Sequence, residues 1–545
     1  MNNKKTLTVA DFFCGAGGFS EGFRQKGFDV IFALDNWKPA VETHDLNHPK
    51  CDCVQKNILE LDTPEKIDKV VPDVDVLIGS PPCVSFSYSN KAGKADKSLG
   101  IQLIEAYLRI ILWKKSKPNS PLKYWLLENV PNSGNYIKFK YTWKGLKLPG
   151  KGPDLKIPVR QELTSSDYGA PQNRIRFVCG NYPIPKKTHK GREVLIKDVF
   201  DSLGDPLKFN KVPEIIKDPA NPFSLEAYKL TDHFYDTRIE KFEWERAKRL
   251  KIDHGFMGVM DFPERLNRTC RTITATRSSS TRESIIFGAE KKNDEYISFR
   301  LPTIREVSCF MGFPINYQFE GLNESVKYKL VGNAVCPPLS AALAGAIRKD
   351  MGLEEIDFIP LKPKKLASVD LNGTICERKI QKPKRLTSQY YRHIPHLKIE
   401  SMRVELSNRD SDFDEEKFVW KSKLHHGSGK SAYSIIQKNA SFKNLIKKIE
   451  NFDEFDKKIS NNFERMKSHF ALQKAYCLLS EDSYSNPDEI LEEIRRILDE
   501  VYPPTKYNKR RLKNDGLFPE IRKPEIPLRV VMGFYALNKV VDKLS

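Results

Sequence analysis

The first 180 residues predict an α/β fold in which a parallel sheet carries helices on both faces. Three observations predict it. Short apolar runs of strand length alternate with longer helix-like segments. A glycine-rich turn follows the first run directly. Polar residues recur just past the ends of the runs, where open α/β sheets bind ligands.

Each element follows in order. Residues 6–13 read as a strand, the turn Cys14-Gly15-Ala16-Gly17-Gly18 comes next, and residues 19–25 read as a helix. A second strand over 30–34 ends at Asp35, and a helix follows near 40–46. Residues 74–78 form an apolar run that two prolines, Pro81 and Pro82, bring to a stiff stop. A long helix over 99–113 and a strand over 124–127, ending at Glu128-Asn129-Val130, complete the pattern. This main part spans 1–185. Residues 186–300 are rich in charge and proline with short apolar runs, so a smaller domain of mixed structure is expected there. Helical patterning returns at 304–311 and after Val335, so residues 301–352 are read as a hinge and a return to the first domain. Proline- and lysine-rich runs place a linker over 353–388. Residues 389–545 form a mainly α extension. Its clearest element is an amphipathic helix opened by Asn486-Pro487, with Ile490, Leu491, Ile494, Ile497, Leu498 and Val501 on one face.

Composition bounds the function. The chain has 545 residues, 39% of them hydrophobic, and a formal charge of +20. That excess of Lys and Arg points to a polyanion, with nucleic acid first. About +10 of it lies in residues 356–545. No signal-peptide core and no apolar stretch of about 18 residues stands out, so no membrane is expected. Ten scattered cysteines suit a reducing compartment. Cys51-x-Cys53 has no second ligand pair beside it, so no metal is expected. Within the extension, Gly427-Ser428-Gly429-Lys430-Ser431 is not a P-loop, because Leu424 stands where its first glycine belongs. Glu415-Glu416-Lys417 lacks the apolar strand a nuclease site would need. Tyrosines among the basic residues of 382–392 and 506–513 suit a nucleic-acid surface or plain solvated charge.

Cys83 is the residue with the most chemical content. Taken alone, a free cysteine is most often a small buried hydrophobe. This one sits at the end of a strand on a proline-stiffened turn, which suits a nucleophile. The glycine turn at 14–18 suits a nucleotide-like ligand, since small residues admit close backbone approach. Its spacing is not Gly-x-Gly-x-x-Gly and it has no phosphate-gripping lysine, which favours an adenosine cofactor without a pyrophosphate. Asp35, at the end of the second strand, fits ribose hydroxyls.

Five blocks then occur in order: Asp11-Phe12-Phe13-Cys14-Gly15-Ala16-Gly17-Gly18-Phe19, Pro81-Pro82-Cys83, Glu128-Asn129-Val130, Gln172-x-Arg174-x-Arg176 and Gly332-Asn333-Ala334-Val335. Together they resemble the signature blocks of the S-adenosylmethionine-dependent DNA cytosine-5 methyltransferases, over residues 6–352. The resemblance implies a Rossmann-like methyltransferase sheet and S-adenosylmethionine as cofactor. It implies Cys83 as covalent nucleophile, a protonated Glu128 against the base edge, and Arg174 and Arg176 holding the target nucleotide and the Cys83 loop. The target base must be flipped out of the duplex to be reached. The cofactor set it implies is Phe13, Gly15, Gly17, Gly18, Asp35, Asn57, Ile58, Ser80, Pro81, Leu103, Asn333 and Ala334. Its departures are Asp35 where Glu is usual, Asn57 where many members carry Asp, and Val84 where Gln is common. The segment 186–300 is implied to read DNA sequence, with Thr272 and Ile273 beside the flipped base, Arg277 a donor to phosphate or base edges, and Arg271 a further DNA contact. Ser85, Ser87 and Gln172 join the DNA contacts, with Lys91, Lys94 and Lys97 on a loop able to close.

The expected partner is therefore double-stranded DNA, with a cognate restriction endonuclease acting separately, the chain a monomer in a prokaryotic cytoplasm, associated with the nucleoid. Two alternatives stand beside this. A tRNA-methylating relative would carry a Cys-Phe-Thr block, which residues 181–300 lack. A silent DNA-binding regulator would have no need of Cys83, Glu128 and Arg174 together.

Overall fold

The computed structural model describes residues 6–544 apart from 84–85, 87–95, 209–212, 253–257, 294, 370–385 and short stretches between 428 and 522. Val84, Ser85, Ser87, Lys91, Lys94 and the lysine and arginine run at 382–385 lie outside the described residues, as does most of the glycine–lysine segment at 427–431. The chain divides into two compact units, Met1–Arg378 and Lys379–Ser545.

The first unit is built on seven strands: β1 (Thr8–Phe12), β2 (Asp29–Asp35), β3 (Asp52–Gln55), β4 (Val76–Gly79), β5 (Tyr124–Asn129), β6 (Val159–Thr164) and β7 (Ile175–Asn181). Their order is β3-β2-β1-β4-β5-β7-β6. The first five are parallel, as expected. The last two run antiparallel, β7 against β5 and β6 against β7, so the sheet is mixed rather than wholly parallel. Alternation along the central strands feeds two layers. Val9, Val76, Ile78 and Leu126 face one core. Ala10, Phe12, Leu77, Trp125 and Leu127 face the other. A strand buried on both faces reads as a continuous apolar run, which is how these appear in the sequence. Helix α1 (Gly18–Gln25) packs against the C-terminal helix of the unit on one face, and α4 (Ser98–Ser116) covers the other. Between them in the chain lie α2 (Lys38–Asn47) and α3 (Pro64–Val70).

Residues 186–300 do not form one domain. Ile196, Val199, Leu203, Ile216, Leu225 and Leu230 join the main core. A separate small core forms only around Ile239, Ala247, Ile286, Phe299 and Leu301, with Trp244 and Phe262 packed against it. It lies between a helix, Lys241–Ile252, and a three-stranded sheet of Arg238–Ile239, Glu295–Arg300 and Phe287–Lys292.

The stretch Glu324–Asp350 is long and apolar enough to cross a membrane by composition, contrary to the expectation that none is. It is two helices, Glu324–Asn333 and Pro337–Asp350, and 72% of its apolar window is buried inside the unit. The expected linker also starts later. Residues after 352 lie along the first unit. The Ile359 amide donates to the Gln25 carbonyl, the Lys364 amide to Leu46, and the Val369 amide to Tyr228, while Leu361 is buried.

In the second unit, strands Tyr391–Ile399, Met402–Ser407, Lys421–His426 and Tyr433–Ile435 form an antiparallel sheet in chain order. Among the described residues helical ones outnumber strand ones here, but the sequence reading did not foresee this sheet. Helix Pro487–Val501 buries the apolar face read from the sequence, and Asn486 caps it: its side chain accepts from the Asp488 amide at 2.7 Å. Helix Leu528–Val541 lies at the centre of this unit's core.

Candidate active site

The strand order reverses direction between β1 and β4, so a crevice opens at the C-terminal ends of these two strands. The glycine turn leaves β1 there and the Cys83 loop leaves β4. A cavity of about 270 Å³ fills the crevice. All four expected catalytic residues, Cys83, Glu128, Arg174 and Arg176, line it together with Phe13, Gly15, Asp35, Asn57, Ile58, Ser80, Pro81, Leu103, Asn333 and Ala334.

Hydrogen bonds hold the Cys83 loop from two sides. Toward the glycine turn, the Ser80 amide donates to the Phe12 carbonyl and its hydroxyl to the Phe13 carbonyl, each at 3.1 Å. Toward β5, the Asn129 amide nitrogen donates to the Pro81 carbonyl at 2.9 Å, and Asn132 donates to the Phe86 carbonyl at 2.8 Å. The Phe86 amide donates back to the Cys83 carbonyl. Cys83 itself is half-buried. Glu128 lines the same cavity, one residue before Asn129.

Glu128 is buried, and its carboxylate meets Arg176 Nε at 3.0 Å. Burial pushes its pKa above the ordinary carboxylate value, and the charges of Arg176 and Arg174 only partly offset this. Arg174 is buried as well. Burial, with the like charge of Arg176, lowers its pKa to about 10. Its guanidinium donates to three backbone carbonyls, Ile273 and Gly332 at 3.0 Å and Ala334 at 3.2 Å. Arg174 thus fastens the fourth block to the last block and to the segment carrying Thr272.

Residues 7–349 match the family model described as C-5 cytosine-specific DNA methylase. The chain belongs to the C-5 cytosine-specific DNA methylase family. It is a DNA cytosine-5 methyltransferase that uses S-adenosylmethionine. Among curated relatives, the type II methyltransferase M.MthTI of Methanothermobacter thermautotrophicus is 29% identical, over 63% of this chain and 98% of its own length. M.AgeI of Thalassovita gelatinovora is 35% identical, over 63% of this chain and 99% of its own. The solved structure of the Entamoeba histolytica methyltransferase EhMeth aligns at 17% identity and a TM-score of 0.42, over 64% of this chain and 99% of that one.

The methylase cavity fits its cofactor. The Asp35 carboxylate accepts the Gly15 amide at 2.9 Å and the Trp37 amide at 2.8 Å, which orients its oxygens and leaves further lone pairs for ribose hydroxyls. Phe13, Ile58 and Leu103 give the apolar wall an adenine ring needs. Phe13 holds a left-handed backbone, φ 55°, which costs a non-glycine residue about 1–2 kcal/mol. The Asn57 carboxamide oxygen caps the short turn Ile58–Glu60 by accepting the Leu59 amide at 3.0 Å.

Gly17 and Gly18 do not line the cavity; they brace it from behind. At Gly17, φ is 88°, and a Cβ would stand 2.5 Å from the Tyr317 hydroxyl. At Gly18 a Cβ would stand 2.1 Å from the Val335 carbonyl oxygen, so glycine lets the first and last blocks touch. Sequence reading missed Trp37 and Lys329, which line the cavity with the ammonium 4.7 Å from the ring centroid. An aromatic residue just past the end of β2 was the available signal for Trp37.

The expected DNA contacts divide. Thr272 and Ile273 lie beside Arg174: its guanidinium donates to the Ile273 carbonyl, residues Cys270–Arg271 pair in parallel with Gln172–Asn173, and the Thr272 hydroxyl donates to the Asn173 carbonyl. Gln172 is fully buried, donating to the Met311 sulfur and accepting the Ile273 amide. Arg271 is turned inward, with Nε on Glu264 at 2.9 Å. Arg277 is paired with Glu324.

Proposed function

We propose that Cys83 and Glu128 carry the methyl transfer. The observation that supports this is that both line one cavity, which the cofactor turn and Asp35 also line. Carbon 5 of cytosine is a weak nucleophile within its aromatic ring. Addition of the Cys83 sulfur to carbon 6 breaks the aromaticity and places electron density on carbon 5. Glu128, whose pKa burial raises, acts in its protonated form, donating to ring nitrogen 3 as that density develops and taking the proton back on collapse. S-adenosylmethionine supplies the methyl group. A base then removes the carbon 5 proton and the sulfur–carbon bond breaks, restoring both the ring and the thiolate.

The base reaches this wall only outside the helix. The small domain around Trp244 and Phe299, together with Thr272 and Ile273, is the part we read as recognising the target sequence. Arg176 steadies the Glu128 carboxyl. Arg174 is a positioning residue through its three carbonyls. Several relatives carry the name type II methyltransferase, and we read this chain likewise as the modification arm of a restriction–modification system. It would act as a monomer on nucleoid DNA in the cytoplasm, beside a separate endonuclease.

The test is tritiated methyl transfer from S-adenosylmethionine to duplex DNA and to tRNA, with wild type and Cys83→Ala. Transfer to DNA by wild type and none by the variant is expected. No transfer to DNA by wild type, or full transfer by Cys83→Ala, would sink the reading. Bisulfite sequencing of the product gives the recognised sequence.

A further inference from the structure

We propose that the second unit holds a divalent transition-metal site formed by His393, Glu405 and His425. The sheet brings the three together. His393 lies directly opposite Glu405 on the neighbouring strand. His425 lies opposite Arg403, two residues before Glu405, and so on the same face. The other face carries Val404, Leu406 and Leu424 into the core. Both imidazoles direct Nε2 at the same carboxylate oxygen of Glu405, His393 at 3.5 Å and His425 at 3.2 Å. One ligand atom from each residue falls within 4.8 Å of the other two.

Those separations suit a metal. Ligand atoms about 2.0–2.1 Å from a tetrahedral zinc ion stand roughly 3.3–3.4 Å from each other. Two imidazoles and one carboxylate favour zinc or a neighbouring first-row ion over calcium or magnesium, which prefer all-oxygen shells. Glu405 is 5% exposed, and on the sheet face away from the core that burial calls for a counter-charge. His393 is half-exposed, which leaves a coordination position open to solvent. One competitor is present: Arg403 Nε donates to His393 Nε2 at 2.9 Å. Metal entry requires that this guanidinium, which is only half-buried, swing away. The ligands come from three strands at wide spacing, so no compact motif marks them in the sequence.

The test uses the full-length protein, stripped with EDTA and desalted, then titrated with Zn²⁺ by calorimetry and with Co²⁺ by visible absorption. One zinc per chain at this site is expected, with Co²⁺ bands of a nitrogen–oxygen site and no sulfur charge-transfer. Glu405→Gln/His425→Asn should lose that one equivalent while keeping the wild-type circular dichroism. Arg403→Gln removes the competing donor and should bind zinc at least about tenfold more tightly, roughly 1.4 kcal/mol. Absence of stoichiometric zinc in wild type, or its retention in the folded double variant, would overturn the site. Should the double variant not fold, unchanged zinc affinity in Arg403→Gln would overturn it instead.

Discussion

Asn129 is the residue through which the Glu128 strand holds the Cys83 loop, and Asn129→Ala tests that link. Asn129 is 1% exposed. Its amide nitrogen donates to the Pro81 carbonyl at 2.9 Å and its oxygen accepts the Val130 amide at 2.8 Å. Alanine leaves the buried Pro81 carbonyl without its donor, at about 1–3 kcal/mol. The half-buried Val130 amide, partly reachable by water, adds about 1 kcal/mol. The total is about 2–4 kcal/mol. Unfolding entropy near 2.1 cal/mol/K per residue gives a unit of about 380 residues roughly 0.8 kcal/mol/K, so its Tm should fall by about 3–5 °C. Catalysis should suffer more. A displacement of the Cys83 sulfur by about 1 Å costs on the order of 10²-fold in rate. Scanning calorimetry reads the first quantity and single-turnover methyl transfer the second. A variant within about 1 °C and twofold of wild type would refute the claim that Asn129 positions the thiol.

Three further outcomes are expected. The rate should fall as pH rises through the raised pKa of Glu128, because deprotonation removes its donor, and Glu128→Gln, with a fixed N–H donor, should flatten that limb of the pH–rate profile. Asp11, fully buried beside Ser20, has a pKa raised to about 7, chiefly by burial. A carboxyl raised on folding stabilises fully below its unfolded value near 4 and loses that contribution as pH rises toward 7, so Tm should fall over this window and Asp11→Asn should lessen the fall. Asp35→Ala releases the Gly15 and Trp37 amides and removes the carboxylate proposed to meet the ribose, and calorimetry should show S-adenosylmethionine binding weakened by about tenfold or more.

Most of the first unit was legible in the sequence because buried central strands leave continuous apolar runs and helices leave a different period. The reversed direction of β7, antiparallel to both β5 and β6, was not legible, since a strand's own residues carry no sign of its neighbour's direction. Among the proposed site residues, Asp35 and Glu128 lie at strand ends and Cys83 just past one, positions the apolar runs mark, while the role of Glu128 came from the family resemblance. Gly17 and Gly18 carried the right identity for another reason: they make room for Tyr317 and the Val335 backbone, some 300 positions away in the chain. Gln172 and Arg174 likewise showed polar chemistry in the sequence but spend it on Met311, Ile273, Gly332 and Ala334. Long-range partners of this kind leave no local pattern. The sheet of the second unit was hidden by charge, because residues such as Arg403, Glu405, Lys421 and Lys423 occupy its outer face.

The central claim is that the Cys83 sulfur bonds to cytosine during turnover. A duplex made with 5-fluorocytosine tests it directly, because carbon 5 then carries no proton to remove and the sulfur–carbon bond cannot be released. Incubation with S-adenosylmethionine, followed by denaturing electrophoresis and peptide mass mapping, should give a stable protein–DNA adduct on the peptide containing Cys83. An adduct on any other residue, or methyl transfer to ordinary DNA with no adduct on the fluorinated duplex, would contradict the account.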